Sequence, residues 1–145
     1  MPTYVFEMST DPGIQATGLH ASWSPVARHV WAQVAQGGLN IPANSTVVVI
    51  AHGNSTEIGN EQAGMVDIDA TTFLALIQSN MANYAQPAAI YISTCGPGIA
   101  EFAANVRIAA EQNHIWANTH IYGHHDPIAG PVPPQGVLAW TQIFP

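Results

Sequence analysis

The apolar positions of this chain fall into two kinds of pattern. Thr46-Val47-Val48-Val49-Ile50-Ala51 is an unbroken, mostly β-branched run of strand length, as expected of a strand covered on both faces. Residues 88–93 form a second such strand, 120–123 a third, and 3–8 a strand before them. Between these runs the spacing changes to that of helices. Ser24-Pro25 has the form of an N-cap followed by proline and opens a helix to about Gln36, with Val26, Val30 and Val34 on one face and Gly37-Gly38 as the stop. Asp69 or Thr71 caps a helix to about Ala82, with Phe73, Leu76 and Ile77 at helical spacing. A third helix runs from about Gly98 to Gln112, with Ile99, Phe102, Val106 and Ala110 toward the core.

The remaining stretches carry turn chemistry. Asp11-Pro12-Gly13 ends the first strand, 54–65 is polar without an apolar period and reads as an exposed loop, and 126–136 holds four prolines ahead of a last extended piece around 137–144. Strand alternating with helix is the signature of a mostly parallel sheet with right-handed crossovers and helices on both faces, in one α/β domain spanning 1–145.

Composition narrows the partners. Only 8% of residues are charged, the two basic ones are Arg28 and Arg107, lysine is absent, and the formal net charge is −7. Phosphate backbones and anionic membrane surfaces are bound through clustered Lys and Arg, so neither nucleic acid nor membrane is expected; cationic partners are favoured. The N-terminus has no basic segment leading into an apolar stretch, and a cytoplasmic location, or export as an effector without a cleavable signal peptide, is expected. No phosphate-binding glycine loop or dinucleotide fingerprint is present, and no cofactor is expected.

The candidate chemistry lies at the strand ends. In open parallel α/β sheets ligands bind beyond the carboxyl ends of the strands, and there the sequence places His52 and the single cysteine, Cys95. A lone thiol makes no intramolecular disulfide, and an imidazole on a neighbouring strand end is the base that would activate it. Gly53 and Gly96 follow the two residues directly, so the main-chain N–H groups of Gly53, Cys95 and Gly96 are candidate oxyanion donors. The start of the helix near Gly98 would favour the thiolate.

An apolar strand ending in His-Gly, then a loop and helix, then an apolar strand ending in Ser-Thr-Cys-Gly, resembles the caspase-like cysteine peptidases. The layout is most similar to the self-processing protease domains of large bacterial toxins, over residues 47–53, 64–76 and 90–123. The resemblance implies a caspase-like three-layer α/β sandwich, Cys95 as nucleophile, His52 as general base and acid, and a protein or peptide substrate. Two Arg residues cannot build the inositol hexakisphosphate surface of the toxin domains, so that mode of activation is not expected. Nor does the sequence contain an obvious β-flap of comparable length.

Other residues carry weaker signals. Glu57, Glu61, Asp67 and Asp69 are candidates for a pocket that takes a basic side chain, and His124 or Asp126, after the third strand, for a group that orients the dyad or forms part of the pocket. A basic or uncharged substrate residue is expected before the scissile bond, since an acidic one would require Arg28 or Arg107 beside it. His120, His124, His125 and Asp126 are metal-compatible types, but a polar strand end accounts for them and no metal site is assigned. A catalytically silent interaction or effector module on the same fold is one alternative. A non-peptidase thiol hydrolase is the other, although Ser93-Thr94-Cys95-Gly96-Pro97 departs from the Gly-x-Ser-x-Gly elbow and the histidine precedes the nucleophile.

Overall fold

The computed structural model describes residues 1–62 and 65–143. The strand Thr3–Glu7 (β1) is followed by a one-turn helix, Pro12–Gln15 (α1), and by the strand Ala27–His29 (β2) and helix Trp31–Gln36 (α2). The β-branched run forms Thr46–Gly53 (β3), which leads into a small hairpin of Ile58–Gly59 (β4) and Asp67–Ile68 (β5). Helix Ala70–Asn80 (α3), strand Ala89–Thr94 (β6), helix Ile99–Gln112 (α4), and strands His120–Gly123 (β7) and Thr141–Ile143 (β8) complete the order. The main sheet runs β2-β1-β3-β6-β7-β8, parallel throughout except for the last pair.

Period-two alternation along the central strands divides the core in two. Phe6, Val47, Val49, Ala51, Ile90, Ile92 and Ile121 face one layer with Val34 of α2, Phe73 and Ile77 of α3, and Phe102 and Val106 of α4. Val5, Val48, Ile50, Ala89 and Tyr91 face the other, against Ile14 of α1, Trp23, Ile128, Val132 and Trp140. The protein is thus a mixed α/β domain with a mostly parallel sheet, compatible with three layers. The three longer helices share one face, however; α1, a 3-10 turn at Ala21–Trp23 and the proline-rich segment cover the other. On that face Tyr91 of β6 and Tyr122 of β7 stack with ring centroids 4.2 Å apart, and Trp140, beyond the proline-rich segment, meets Tyr91 edge-on.

The sequence reading fails at 24–36. Instead of one helix the chain makes the edge strand β2 and only then α2, with Val26 and Val30 exposed and Val34 buried. Ser24 takes a left-handed conformation (φ 42°) that closes the 3-10 turn and cannot start a helix here. Arg28 thereby lies on a strand, where its guanidinium donates to Glu7 and to the carbonyls of Ile14, Gln15 and Thr17. The carboxylate of Glu7 is buried, so this contact both compensates its desolvation and ties the end of α1 to the sheet. Arg107, on α4, is buried and donates to the carbonyls of Trp116 and Thr119.

The expected polar loop at 54–65 contains β4, paired antiparallel to β3 through His52–Gly59 and Gly53–Ile58 and to β5 through Ile58–Ile68. Ala63 and Gly64 of that loop lie outside the described residues. Gly59 has φ 146°, and a Cβ there would sit 1.8 Å from the Val66 carbonyl oxygen, so the hairpin closes only around glycine. Among the described residues no helix is long and apolar enough to cross a membrane.

Candidate functional site

His52 lies in the last part of β3 and Cys95 one residue beyond β6, adjacent parallel strands in register through Ala51–Thr94. Strand alternation puts His52 on the side of Val48 and Ile50, and Cys95 continues the side of Tyr91 and Ser93. Both side chains therefore belong to the same side of the sheet. They line one cavity of about 370 Å³, together with Gly53, Asn54, Glu57, Ile58, Gly59, Asn60, Glu61, Asp67 and Gly96. The thiol is exposed and the imidazole half-buried.

The end of β3 approaches the turn after β6 closely because residue 96 is glycine, while glycine at 53 makes room for Ile58 of β4. A Cβ on Gly96 would fall 1.8 Å from the Gly53 carbonyl oxygen, a separation no side chain can occupy. Thr94 shapes the turn that carries Cys95: its hydroxyl accepts from the Gly96 N–H and donates to the Gly96 carbonyl, both at 3.1 Å. The Gly96 amide is therefore taken, and the parallel ladder that ends at Ala51–Thr94 turns the Cys95 N–H to the Ala51 carbonyl, because Thr94 bonds His124 and Ile128 on its other side. Of the expected oxyanion donors this leaves the N–H of Gly53.

A buried histidine holds the main chain just before the thiol. His124 Nε2 accepts from the Thr94 N–H at 3.1 Å, and its Nδ1 lies 2.7 Å from the Asp126 carbonyl oxygen, so the neutral Nδ1–H tautomer satisfies both contacts. The Thr94 carbonyl accepts from Ile128 N–H; residues beyond β7 thus continue the ladder where the strand itself stops. His124 consequently backs the site and does not line its cavity. Burial pushes its pKa below the usual 6.5, opposed in part by the Asp126 carbonyl.

The sign of the resulting pH dependence is fixed. Below 6.5 the unfolded chain takes up a proton at this position that the folded chain resists, so stability falls with pH from 6.5 down to the depressed folded value. Urea unfolding between pH 8 and 5 should show that loss, and His124→Leu should remove its share of the slope. Equal slopes in both proteins would contradict the assignment.

The other candidates divide. Glu57, Glu61 and Asp67 line the cavity. Asp69 instead caps α3, accepting from the Thr72 N–H at 2.8 Å, and that hydrogen bond lowers its pKa. Asp126 is exposed and lines a separate depression with His125, Pro127 and Leu138. Burial of one and capping by the other explain why neither His124 nor Asp69 enters the pocket that their positions in the sequence suggested. The start of α4 likewise does not serve the thiol, because the Gly98 and Ala100 N–H groups donate to the carbonyls of His125 and His124. Among the described residues no three His, Cys, Asp or Glu side chains gather as a metal-ligating group.

Two residues at the site were absent from the sequence reading. Asp11, the N-cap residue of α1, places Oδ2 3.3 Å from His52 Nε2 and accepts the Glu61 N–H on the same oxygen at 2.8 Å. Asn60 lines the cavity and joins its hairpin to the segment after β1: its Oδ1 accepts from Ser9 Oγ and Thr10 N, and its Nδ2 donates to Thr10 Oγ1. The same strand-end rule that selects His52 and Cys95 would have selected Asp11, which follows β1 on the neighbouring strand; the Asp-Pro-Gly turn signal concealed it. Compared with family models, curated proteins and solved structures, the chain matches none.

Proposed function

We propose that the protein is a cysteine hydrolase, acting as an endopeptidase of caspase-like type, with Cys95 as nucleophile and His52 as general base and acid. The observation that carries this reading is the sharing of one cavity by an exposed thiol and an imidazole on adjacent strand ends that only glycine allows to meet. His52 takes the thiol proton as Cys95 Sγ attacks the substrate carbonyl carbon, and the new C–S bond leaves an oxyanion facing the Gly53 amide. Collapse expels the amine, to which His52 returns its proton, and leaves a thioester. Water then attacks that thioester, giving one proton to His52; the acid is released and the proton returns to Sγ.

Charge selects the substrate. Glu57, Glu61 and Asp67 line the cavity, whereas Arg28 is committed to Glu7 and α1, and Arg107 is buried under Trp116 and Thr119. A carboxylate entering the site would meet no cation and would lose several kcal/mol on desolvation. Cleavage after Arg or Lys follows. Profiling with a peptide library should show turnover after a basic residue, and a dominant preference for Asp or Glu would overturn the assignment of the pocket.

A further inference from the structure

We infer that Asp11 is the positioning residue of this site, orienting His52 and joining its orientation to the hairpin that forms the pocket wall; the inference rests on the Cys95 and His52 reading. Oδ2 of Asp11 faces Nε2 of His52 at 3.3 Å, with the two side chains 26% and 24% exposed, so the contact is partly shielded from solvent. An imidazole that donates from Nε2 presents the lone pair of Nδ1, the form a base beside Cys95 requires. The carboxylate also stabilises the imidazolium that forms when the thiol is deprotonated.

Asp11 is itself held from three directions. Its N–H donates to Ser9 Oγ at 3.1 Å, its Oδ2 receives the Glu61 N–H, and Pro12–Gln15 behind it is anchored by Arg28. Ser9 in turn donates to Asn60 Oδ1 at 2.7 Å, so displacement of β4 by a substrate is felt at the carboxylate that sets the base. The titratable groups facing His52 across the cavity are Cys95 after β6, Glu57 and Glu61 on either side of β4, and Asp67 on β5, with Asp11 approaching from α1. Asp11 brings its carboxylate oxygen within 3.3 Å of the His52 ring.

The test is the pH dependence of Cys95 alkylation by iodoacetamide in the folded full chain, for wild type, Asp11→Asn, Asp11→Ala and His52→Ala, with thermal melts to confirm folding. In Asp11→Asn the Glu61 N–H keeps an oxygen facing His52, so the tautomer is retained and only the charge is lost. The imidazolium is then less stabilised, and the profile should move to higher pH. Asp11→Ala also loses the orientation, and the neutral-pH rate should fall about tenfold or more toward that of His52→Ala. A purely structural Asp11 would move the melts and leave the profile in place. If wild type reacts faster than His52→Ala while both Asp11 variants superimpose on wild type, Asp11 has no positioning role and the dyad stands. If wild type and His52→Ala react alike, the dyad fails and Asp11 fails with it.

Discussion

Cys95→Ala and His52→Ala should each lower peptide turnover by about four orders of magnitude or more, and the double variant should be no worse than either alone. Nucleophile and base act as a unit: a thiol without its base and a base without a nucleophile both leave only the binding pocket and the backbone dipoles. Neither substitution should harm the fold. Cys95 is exposed on a turn fixed by Thr94, and His52 is half-buried in a strand whose main-chain pairing to Gly59 does not depend on the ring. Thermal melts close to wild type, together with absent turnover, are therefore expected. Retained turnover in Cys95→Ala would place the nucleophile elsewhere, and for a catalytically silent interaction module no turnover would be seen even in wild type.

Gly96→Ala is the second variant with a large expected effect. It adds one methyl group at the cavity wall, and an ideal Cβ there would lie 1.8 Å from the Gly53 carbonyl oxygen and 3.0 Å from its carbon. Backbone must move, since neither neighbour is the end of a flexible side chain. Separation of the ends of β3 and β6 displaces His52 from Cys95, and a displacement on the order of 1 Å costs about a hundredfold in rate. Overpacking should also destabilise the fold by about 1–3 kcal/mol. The neighbouring Gly98 offers a contrast: a Cβ there meets nothing closer than 3.4 Å, but φ of 79° disfavours any side chain, so Gly98→Ala should cost stability more than activity. Equal activities in the Gly96 and Gly98 variants would show that the strand-end approach does not set the dyad.

What the sequence disclosed was what local pattern can carry. Thr46–Gly53 and Ala89–Thr94 are long, β-branched and buried on both faces, so their period and ends are unambiguous, and with them the places of His52 and Cys95. The stripe Ile99, Phe102, Val106 and Ala110 is buried as helical spacing requires. Residues 24–36 were misread because valines four apart suit a helix, whereas a three-residue edge strand leaves almost no periodic trace. Within that region it is hydrogen bonding to β1 that decides the outcome. The hairpin β4–β5 escaped for the same reason, since its two strands contribute only Ile58 and Ile68 to the core.

Side-chain destinations were less legible than strand ends. His124, Asp69 and Asp126 stand close in sequence to cavity-forming elements, but one is consumed by the Thr94 N–H, one by a helix cap, and one points to another depression. Asp11 and His52 are 41 positions apart and meet only because β1 and β3 are adjacent and parallel. No local pattern encodes that contact. Negative charge around the cavity was more accessible to composition, because a chain with two arginines, both used to hold carbonyl groups, has no cation left for the site.

The claim that Cys95 is activated by His52 is tested most directly by the rate at which iodoacetamide modifies the thiol at neutral pH, followed by intact mass. The chain contains one cysteine, so each added carbamidomethyl group reports that residue alone. The account predicts that the folded wild-type protein reacts at least about tenfold faster than the same chain unfolded in urea, and that His52→Ala, still folded, falls to the unfolded rate. A folded wild type that reacts no faster than the unfolded chain, or a His52→Ala variant that keeps the wild-type rate, would contradict it.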